Sequence, residues 1–514
     1  MTSQLLSELF EDSVFSGSSI DDKKFVPLDI LERIIIPSSV KDALAITDGV
    51  LTKVGLRKPS DLPEMVTKQA KRIFAALVLM DKVDKIRGLL DEGLTDEHLP
   101  LSRDPHHDAV LSPDRATIFP FVGWNPPSVN EFLQHKQWLF LAPVLDTSGQ
   151  LIEVNKECAL PFTESEIKGS GAAGVVHQAK IHKAHQRGFE AETVDLKVAV
   201  KQFHHKKDFA QENKILQNIR DLRHRHIIRP FASVDKGQKG YIIFPWADGG
   251  NLQEFWENSE QETSQKSILW SMRQMLGLTG ALQMLHEHCK CRHGDLKPGN
   301  ILCVNEQGET ILKIADFGVS RIHHAQTISR TSPTTSTLLT PSYQGPEVEF
   351  EKIDKGDQRP RSRKYDIWSL GCVFLEFAIW LLHGPKAIEG FAGARGRGTS
   401  STDRSPPLYE VTNRAAKAAR VHQLVSWTLK RLEDNPQCKG ETPLAVLLSL
   451  IKNQMLQPEV GDRPSAADIC KQLENIVQEA EKRDSYLLHS RDNLQMLPLD
   501  FEEFQLISNS ENTS

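Results

Sequence analysis

Residues 293–302 read HGDLKPGNIL, and Asp316 opens the tripeptide DFG sixteen residues after Asn300. This polar stretch carries Asp295 and Lys297, so it combines a carboxylate base, a cation and hard oxygen ligands within a few residues. Phosphoryl transfer needs these groups to position a nucleophile, neutralise charge and hold magnesium ions. The pattern therefore predicts a phosphoryl-transfer site.

Two weaker patterns precede this stretch. Residues 169–176 read GSGAAGVV, and the alternation of apolar and polar residues continues beyond them. That alternation predicts a hairpin loop between strands, whereas a Rossmann-type turn would lead straight into a helix. Val198–Lys201 is a short predicted strand that presents one lysine. Glu212 follows on an otherwise apolar helical stripe and needs a cationic partner, for which Lys201 is the natural choice.

Taken together, these motifs resemble the eukaryotic protein kinase family, Ser/Thr branch, over about residues 158–476. The tripeptide GPE at 345–347 stands where the family has Ala-Pro-Glu. Asp366 begins DIWSLG, which is similar to the anchoring segment of the family's central helix, and Arg463 stands where an arginine pairs with the glutamate of Ala-Pro-Glu. The resemblance implies an α+β, bilobal fold with a small β-rich lobe and a larger helical lobe.

The resemblance also implies catalytic roles. Asp295 would accept or orient the hydroxyl proton of the substrate, and Lys297 would neutralise charge on the transferring phosphoryl group. Lys201 would contact the α- and β-phosphates of ATP while Glu212 holds it in place.

The family's cofactors are ATP and Mg²⁺, and the resemblance assigns residues to both. The phosphates would be covered by the glycine loop, through Gly169, Ser170, Gly171 and Gly174. The magnesium ions would be held by Asn300 and Asp316. The adenine ring would be enclosed by Val176, Ala199, Leu302, the gatekeeper Phe244 and the hinge around Ala247.

Three departures from the family pattern stand out. Gly294 replaces the arginine of His-Arg-Asp, which removes the usual clamp for a phosphorylated activation loop, so activity should depend only weakly on phosphorylation there. Gly345 replaces an alanine, which should matter little to the chemistry. Glu212 follows Lys201 by only 11 residues, a short gap that makes Glu212 a weaker assignment than the other site residues.

The rest of the chain divides by pattern. Residues 1–138 form a mostly helical accessory region, in which Val66–Met80 is predicted as one amphipathic helix. Residues 139–157 are a linker with a possible strand hairpin, and 385–407, rich in Gly, Ser and Arg, is predicted to be a disordered insertion within the kinase domain. Residues 477–514 form an acidic tail. Its Phe501 and Phe504 lie three residues apart, so a helical turn would put them on one face. They resemble a tail motif by which some kinases dock on their own small lobe, and the alternative is an end that docks elsewhere or binds a partner.

The composition of the chain indicates which partners and which cellular location to expect. The 514 residues contain 62 Lys and Arg against 68 Asp and Glu, a net charge of −6, which argues against nucleic acid as a partner. Seven scattered cysteines are typical of a reducing compartment. The first residues are acidic and lack a long apolar run, and no apolar stretch has the length of a membrane span. We therefore expect an intracellular protein of the cytoplasm or nucleus.

Two classes of function remain open on this evidence. One is a protein kinase that phosphorylates Ser or Thr hydroxyls of protein substrates with ATP and Mg²⁺. The alternative is a pseudokinase, a scaffold that binds partners through the same fold without turnover. Because Lys201, Asp295, Asn300 and Asp316 are all present, the sequence favours the enzyme. Residues 1–138 would bind a partner in either case.

Overall fold

The computed structural model describes residues 2–51, 61–104, 109–171, 173–189, 193–259, 263–318, 321–322, 341–351, 362–396, 406–487 and 498–504. The chain forms two compact units. The first contains Met1–Phe209 and Pro230–Trp246, and the second contains Ala210–Arg229 and Ala247–Ser514.

The accessory region is mainly helical, as predicted, and has a hydrophobic core of its own. Its helices are α1 (Ser3–Asp12), α2 (Leu28–Ile34), α3 (Pro37–Leu51), α4 (Leu62–Gln69), α5 (Lys71–Val78), α6 (Ile86–Asp91) and α7 (Pro126–Glu131). A small antiparallel sheet joins them, made of β1 (Ser102–Arg103), β2 (Val110–Leu111) and β3 (Ile118–Phe119).

The single helix predicted over Val66–Met80 is wrong, because the chain breaks between α4 and α5 at Ala70, which has φ −145°. The carboxylate of Asp96 accepts hydrogen bonds from the backbone N–H groups of Arg72 and Ile73 at 3.0 and 3.1 Å. These N–H groups have no partner within their own helix, so a distant carboxylate that caps them favours a new helix start.

A six-stranded sheet completes the first unit, in the order β5-β10-β11-β9-β7-β6. Its strands are β5 (Leu151–Val154), β6 (Phe162–Ser170), β7 (Gly174–Ile181), β9 (Leu196–Phe203), β10 (Ala232–Lys236) and β11 (Lys239–Pro245). One face carries a core that includes Val198, Val200 and Ile243. This sheet is the predicted small lobe.

Residues 13–27, here named the N-terminal strap, pack against this sheet. Ile20 lies within the sheet core, and Asp21 forms an ion pair with Lys236 on β10, with Oδ2 and Nζ 2.5 Å apart. The same carboxylate accepts a hydrogen bond from the backbone N–H of Leu160 at 3.0 Å. Part of the predicted accessory region therefore belongs structurally to the small lobe.

The hairpin predicted within residues 139–157 does not form. β4 (Leu145–Asp146) pairs in parallel with β8 (Gln186–Arg187), and β5 pairs in parallel with β10. Each segment therefore finds its backbone hydrogen bonds with a later strand, so the turn between them connects two different sheets.

The second unit is largely helical. Its helices are α8 (Lys206–Arg220, which begins in the first unit), α9 (Leu252–Asn258), α10 (Gln265–Glu287), α11 (Glu347–Glu351), α12 (Tyr365–His383), α13 (Pro385–Gly396), α14 (Gln423–Asp434), α15 (Pro443–Leu450), α16 (Ala466–Lys482) and α17 (Asp484–Leu487). Its strands are β12 (Cys291–Arg292), β13 (Ile301–Glu306), β14 (Glu309–Ile314), β15 (Arg321–Ile322), β16 (Tyr409–Asn413) and β17 (Ala418–Val421).

Helix α12 is the central helix of this unit. It is apolar enough to match a membrane span, with a mean hydropathy of 1.5 over 18 residues, but that whole window is buried in protein. Helices apolar on every side occur in the cores of large proteins. The apolar composition of α12 is therefore explained by its central position.

The disordered insertion predicted over 385–407 is wrong for its first half, which forms α13. Phe391, Ala394 and Arg395 of this helix are buried, so packing overrides its glycine-rich composition. Residues 397–405 lie outside the described residues. In the tail, the described residues 498–504 end in a helical turn over Phe501–Phe504.

Candidate active site

The sequence HGDLKPGNIL forms the turn between β12 and β13, and Asp366 of α12 fixes its start. Asp366 accepts hydrogen bonds from the backbone N–H groups of His293 and Gly294, at 2.9 and 2.8 Å. His286 of α10 lies 2.8 Å from the same carboxylate through Nε2. Gly294 has φ +88°, a left-handed conformation that glycine adopts readily.

Burial alone would raise the pKa of Asp366, but the hydrogen bond with His286 and the nearby His293 and Arg292 outweigh burial and lower it. The carboxylate therefore stays ionised within the core. A charged acceptor that holds two consecutive N–H groups makes the turn rigid. The family pattern assigns Asp366 only to an anchoring segment, although an acid at the start of the most apolar helix is a signal for a buried structural charge.

Asp295, Lys297 and Asn300 converge as predicted. The Asp295 carboxylate lies 2.9 Å from the Lys297 Nζ and accepts a hydrogen bond from the Asn300 amide at 3.0 Å. Burial raises the pKa of Asp295, and the charge and hydrogen bond of Lys297 offset part of that rise. A carboxylate held by a lysine and an amide is well placed to orient a hydroxyl group.

Asp316 is brought to the same region by backbone contacts. The N–H of Ala315 donates to the Asn300 carbonyl at 2.9 Å, and His293 Nε2 lies 2.9 Å from the Ala315 carbonyl. Phe317 is fully buried, with its ring 5.3 Å from the His293 ring. The site therefore joins the two predicted motifs, HGDLKPGNIL and DFG, through their backbones.

The donor set of Asn300 and Asp316 fits a magnesium ion. Within the part of the chain that the structure describes, the Asn300 side chain makes two hydrogen bonds, and both use its amide nitrogen as donor, which leaves the amide oxygen as a ligand atom. Carboxylate and amide oxygens are the ligands that Mg²⁺ prefers, and it commonly keeps only one or two carboxylates beside water and phosphate oxygens. Among the described residues, no cluster of three His, Cys, Asp or Glu side chains suits another metal.

The predicted nucleotide-binding side chains of the first unit lie on one face of the sheet. Val176 is directly opposite Lys201 in the register of β7 and β9, and Ala199 is opposite Phe244 in the register of β9 and β11. Paired residues share a face, and residues two apart on one strand do too. The alternate residues, such as Val200, point into the sheet core.

The glycine loop closes the hairpin of β6 and β7, as predicted. The N–H of Gly171 donates to the Gly174 carbonyl at 2.9 Å. A Cβ at Gly174 would lie 2.1 Å from the Gln202 carbonyl oxygen, whereas at Gly169 and Gly171 it would meet nothing within 4 Å. Gly174 is therefore required for packing, and Gly169, Ser170 and Gly171 form an open, exposed backbone suited to close approach by phosphates.

In the second unit, the turn around Gly250 connects Ala247 with the strand that carries Leu302. The N–H of Cys303 donates to the Gly250 carbonyl at 2.8 Å, and Leu302 bridges to Asn251. Ala247 accepts a hydrogen bond from the Gly250 N–H at 3.1 Å. The segment after β11 is thus tied to β13 at the point where the adenine pocket is predicted.

Glu212 lies on α8 with its side chain 1% exposed, on the stripe that the sequence predicted. Lys201 belongs to the first unit and Glu212 to the second, and their ion pair stays a prediction.

The predicted pair of Glu347 and Arg463 is confirmed. The two guanidinium nitrogens Nη1 and Nη2 donate to the two carboxylate oxygens at 2.8 and 2.9 Å. Arg463 also donates through Nε to the Gln457 carbonyl at 2.8 Å. A bidentate pair fixes both orientation and distance, so the residues that follow GPE are anchored to the start of α16.

The chain is similar to known protein kinases. The family model for the protein kinase domain matches residues 162–473, and the chain belongs to the protein kinase family. Over 214 residues it is 28% identical to serine/threonine-protein kinase 36 of Pongo abelii, covering 42% of this chain and 14% of that protein.

Two further relatives are similar over comparable segments. Serine/threonine-protein kinase Nek8 of Danio rerio is 29% identical over 219 residues, which is 42% of this chain and 28% of that protein. Ovarian-specific serine/threonine-protein kinase Lok of Drosophila melanogaster is 32% identical over 162 residues, 32% of this chain and 30% of that protein. The chain thus spans less than a third of the length of these relatives.

Proposed function

We propose that this protein is an active serine/threonine kinase that transfers the γ-phosphate of ATP to hydroxyl groups of protein substrates. The observation that carries the proposal is the convergence of Asp295, Lys297 and Asn300 at distances of 2.9 and 3.0 Å. A scaffold that only binds partners has no need for such an arrangement. The names of the relatives support the Ser/Thr class.

The residues divide the chemistry between them. Asp295, whose pKa is raised by burial, is matched to orient a substrate hydroxyl and take its proton. Lys297 places a positive charge beside it, where negative charge develops on the transferring group. Lys201 would bind ATP phosphates. Bound ATP would supply the phosphoryl group, with Asn300 and Asp316 holding its magnesium ions.

Autophosphorylation with Mg-ATP distinguishes this proposal from the pseudokinase alternative. Purified native chain and the Asp316→Ala variant are incubated with labelled ATP, and incorporation is measured by mass spectrometry. Incorporation by the native chain that falls by orders of magnitude in the variant supports the kinase. Equal incorporation in both would contradict it, because a contaminating kinase would then be the source. Asp221→Ala, the same substitution at a side chain that is 85% exposed, is the matched control.

We also propose an intracellular location. All seven cysteines are free thiols, six of them buried, which is typical of proteins in a reducing compartment. Residues 1–138 retain a partner-binding role in this proposal. Fractionation of cells expressing the full chain, with cytoplasmic and nuclear markers, tests the location.

A further inference from the structure

The C-terminal turn Phe501–Phe504 packs on a surface made by α13 and α14. The Phe501 ring lies 6.2 Å from the Phe391 ring of α13 and 6.0 Å from the Trp427 ring of α14. The Phe504 ring lies 5.7 Å from the same tryptophan. Of the outcomes predicted for this motif, the structure shows docking elsewhere than on the small lobe, against helices of the second unit.

This surface matches the turn in shape and charge. At Gly390 of α13, a Cβ would lie 2.8 Å from the Phe501 ring, so only glycine allows this approach without displacement. Arg431 of α14 forms an ion pair with Glu503 and stacks over Trp427, with Cζ 5.4 Å from the ring centroid. The site therefore selects two aromatic side chains and an acid.

Helix α13 is poorly suited to stand alone. Its sequence, PKAIEGFAGARG, contains Gly390, Gly393 and Gly396 within 12 residues, and glycine is among the weakest helix formers. It also buries Arg395 to 2% exposure, and in the described part of the chain the Nε and Nη1 atoms of that side chain have no hydrogen-bond partner. Burying unsatisfied donors is unfavourable. The folded state of α13 therefore depends on contacts that pack against both of its sides.

Arg395 connects α13 to the residues just before GPE. Its Nη2 lies 3.8 Å from the Glu376 Oε1 in the core. The Tyr343 hydroxyl donates to the other oxygen of Glu376 at 2.8 Å, and the Ser369 hydroxyl donates to the Tyr343 carbonyl at 2.8 Å. The buried Glu376 carboxylate is stabilised by the guanidinium of Arg395 and by the hydroxyl of Tyr343, so loss of either partner leaves it poorly solvated in the core.

We propose that the turn Phe501–Phe504 is an intramolecular ligand of the α13–α14 surface, and that its docking keeps Arg395 on Glu376 and so holds Tyr343 in its place just before GPE. The docking itself is independent of catalysis. Its effect on activity rests on the proposed kinase function.

Amide hydrogen exchange on the full chain tests the docking. In the double variant Phe501→Ser/Phe504→Ser, exchange of residues 385–396 should speed up by about tenfold or more, because the opening of α13 becomes more favourable. The matched control is Glu502→Ala, an exposed residue of the same turn, which should leave exchange unchanged. Unchanged exchange in the double variant overturns the proposal.

Adding the turn as a separate peptide tests whether the faster exchange results from loss of docking or from another effect of the two substitutions. The peptide PLDFEEF, residues 498–504, added to the double variant should restore protection of 385–396 and change the fluorescence of Trp427, identified by its loss in Trp427→Leu. The same peptide with both phenylalanines replaced by serine should do neither. Equal effects of both peptides would overturn the proposal.

Kinase activity tests the link through Arg395. In the double variant, kcat should fall by about three- to tenfold while KM for ATP stays unchanged. Arg395→Met should likewise lower kcat without changing KM for ATP. If exchange in the double variant is faster but kcat is unchanged, the docking is supported and its proposed effect on Tyr343 is overturned. An inactive native chain would refute the proposed function instead, while the exchange experiment would still decide the docking.

Discussion

Asp21 and Lys236, 215 residues apart in sequence, form an ion pair whose side chains are only 6% and 5% exposed. Removal of one partner from such a pair leaves an uncompensated charge in the core. The pair joins the N-terminal strap to the small sheet, so the strap contributes to the stability of the predicted kinase domain.

We expect Asp21→Ala to lower the free energy of unfolding by about 3–5 kcal/mol. Asp21→Leu combined with Lys236→Met should recover most of the loss, since neither charge then remains buried. Urea denaturation followed by circular dichroism measures the change. The control is Lys23→Ala, whose pair with Glu157 is over a third exposed and worth less than about 1 kcal/mol. A loss no greater than that of the control would refute the role of the buried pair.

Lys201→Met should reduce phosphoryl transfer by orders of magnitude and leave the chain folded, because it removes a phosphate contact and keeps a similar apolar stem. Lys180→Met, at an exposed position on the neighbouring strand, should keep its activity. Peptide phosphorylation rates measure both variants. More than about a tenth of native activity in Lys201→Met would contradict the assignment.

The activity of the kinase should fall at acidic pH as Asp295 becomes protonated. Its pKa is raised above 3.8, and Lys297 holds it lower than burial alone would. Loss of that cation in Lys297→Met should therefore raise the pKa further and move the acidic limb of kcat/KM to higher pH. Rate profiles from pH 4 to 8 would show the shift. A limb that stays in place or moves to lower pH would exclude Asp295 as the titrating group.

Arg463→Ala should destabilise the protein by about 3–5 kcal/mol, because it leaves the glutamate of GPE without its bidentate partner. Arg463→Lys should not restore the stability, since an ammonium cannot make the parallel bonds. Thermal unfolding measures both. Arg225 contacts Glu306 and Glu309 at 3.0 and 3.1 Å but is 50% exposed, so Arg225→Ala should cost less than about 1 kcal/mol. Similar losses for the Arg463 and Arg225 alanine variants would contradict the assignment.

Phosphatase treatment should lower the rate by less than about tenfold, or roughly 1.4 kcal/mol in activation free energy. A phosphorylated activation loop is ordered by pairing with arginine, and Gly294 offers no such partner. The hydroxyl-rich run from Thr327 to Thr337 lies outside the described residues. Rates are compared before and after treatment, with removal of phosphate verified by mass spectrometry. A much larger loss would show that another arginine takes over.

The convergence of the motif residues could be predicted from sequence because these residues are close together in the chain. Asp295, Lys297 and Asn300 lie within six residues, so one tight turn brings their side chains together. The strand that carries Ala199 and Lys201 could be predicted equally well, since successive side chains of a strand point to opposite faces and residues two apart share a face. In each case the neighbours in space are neighbours in sequence.

Features that depend on distant contacts could not be predicted. The break at Ala70 follows from a carboxylate at Asp96, 24 residues beyond Arg72, and the pairing of β5 depends on β10, some 80 residues later. Helix α13 looked disordered because its glycines weaken it locally, while Phe391 and Arg395 are buried only by neighbours that composition does not reveal.

The N-terminal strap also has a consequence for the order of synthesis. The ribosome makes Asp21 long before Lys236, which lies 215 residues later. At 5–20 residues per second, synthesis from the one to the other takes roughly 11–43 s. During that interval Asp21 cannot form its ion pair with Lys236, and Ile20 cannot pack into the core of the complete sheet. The strap therefore reaches its native place only after β10 has been made, later than many residues that follow the strap in the chain.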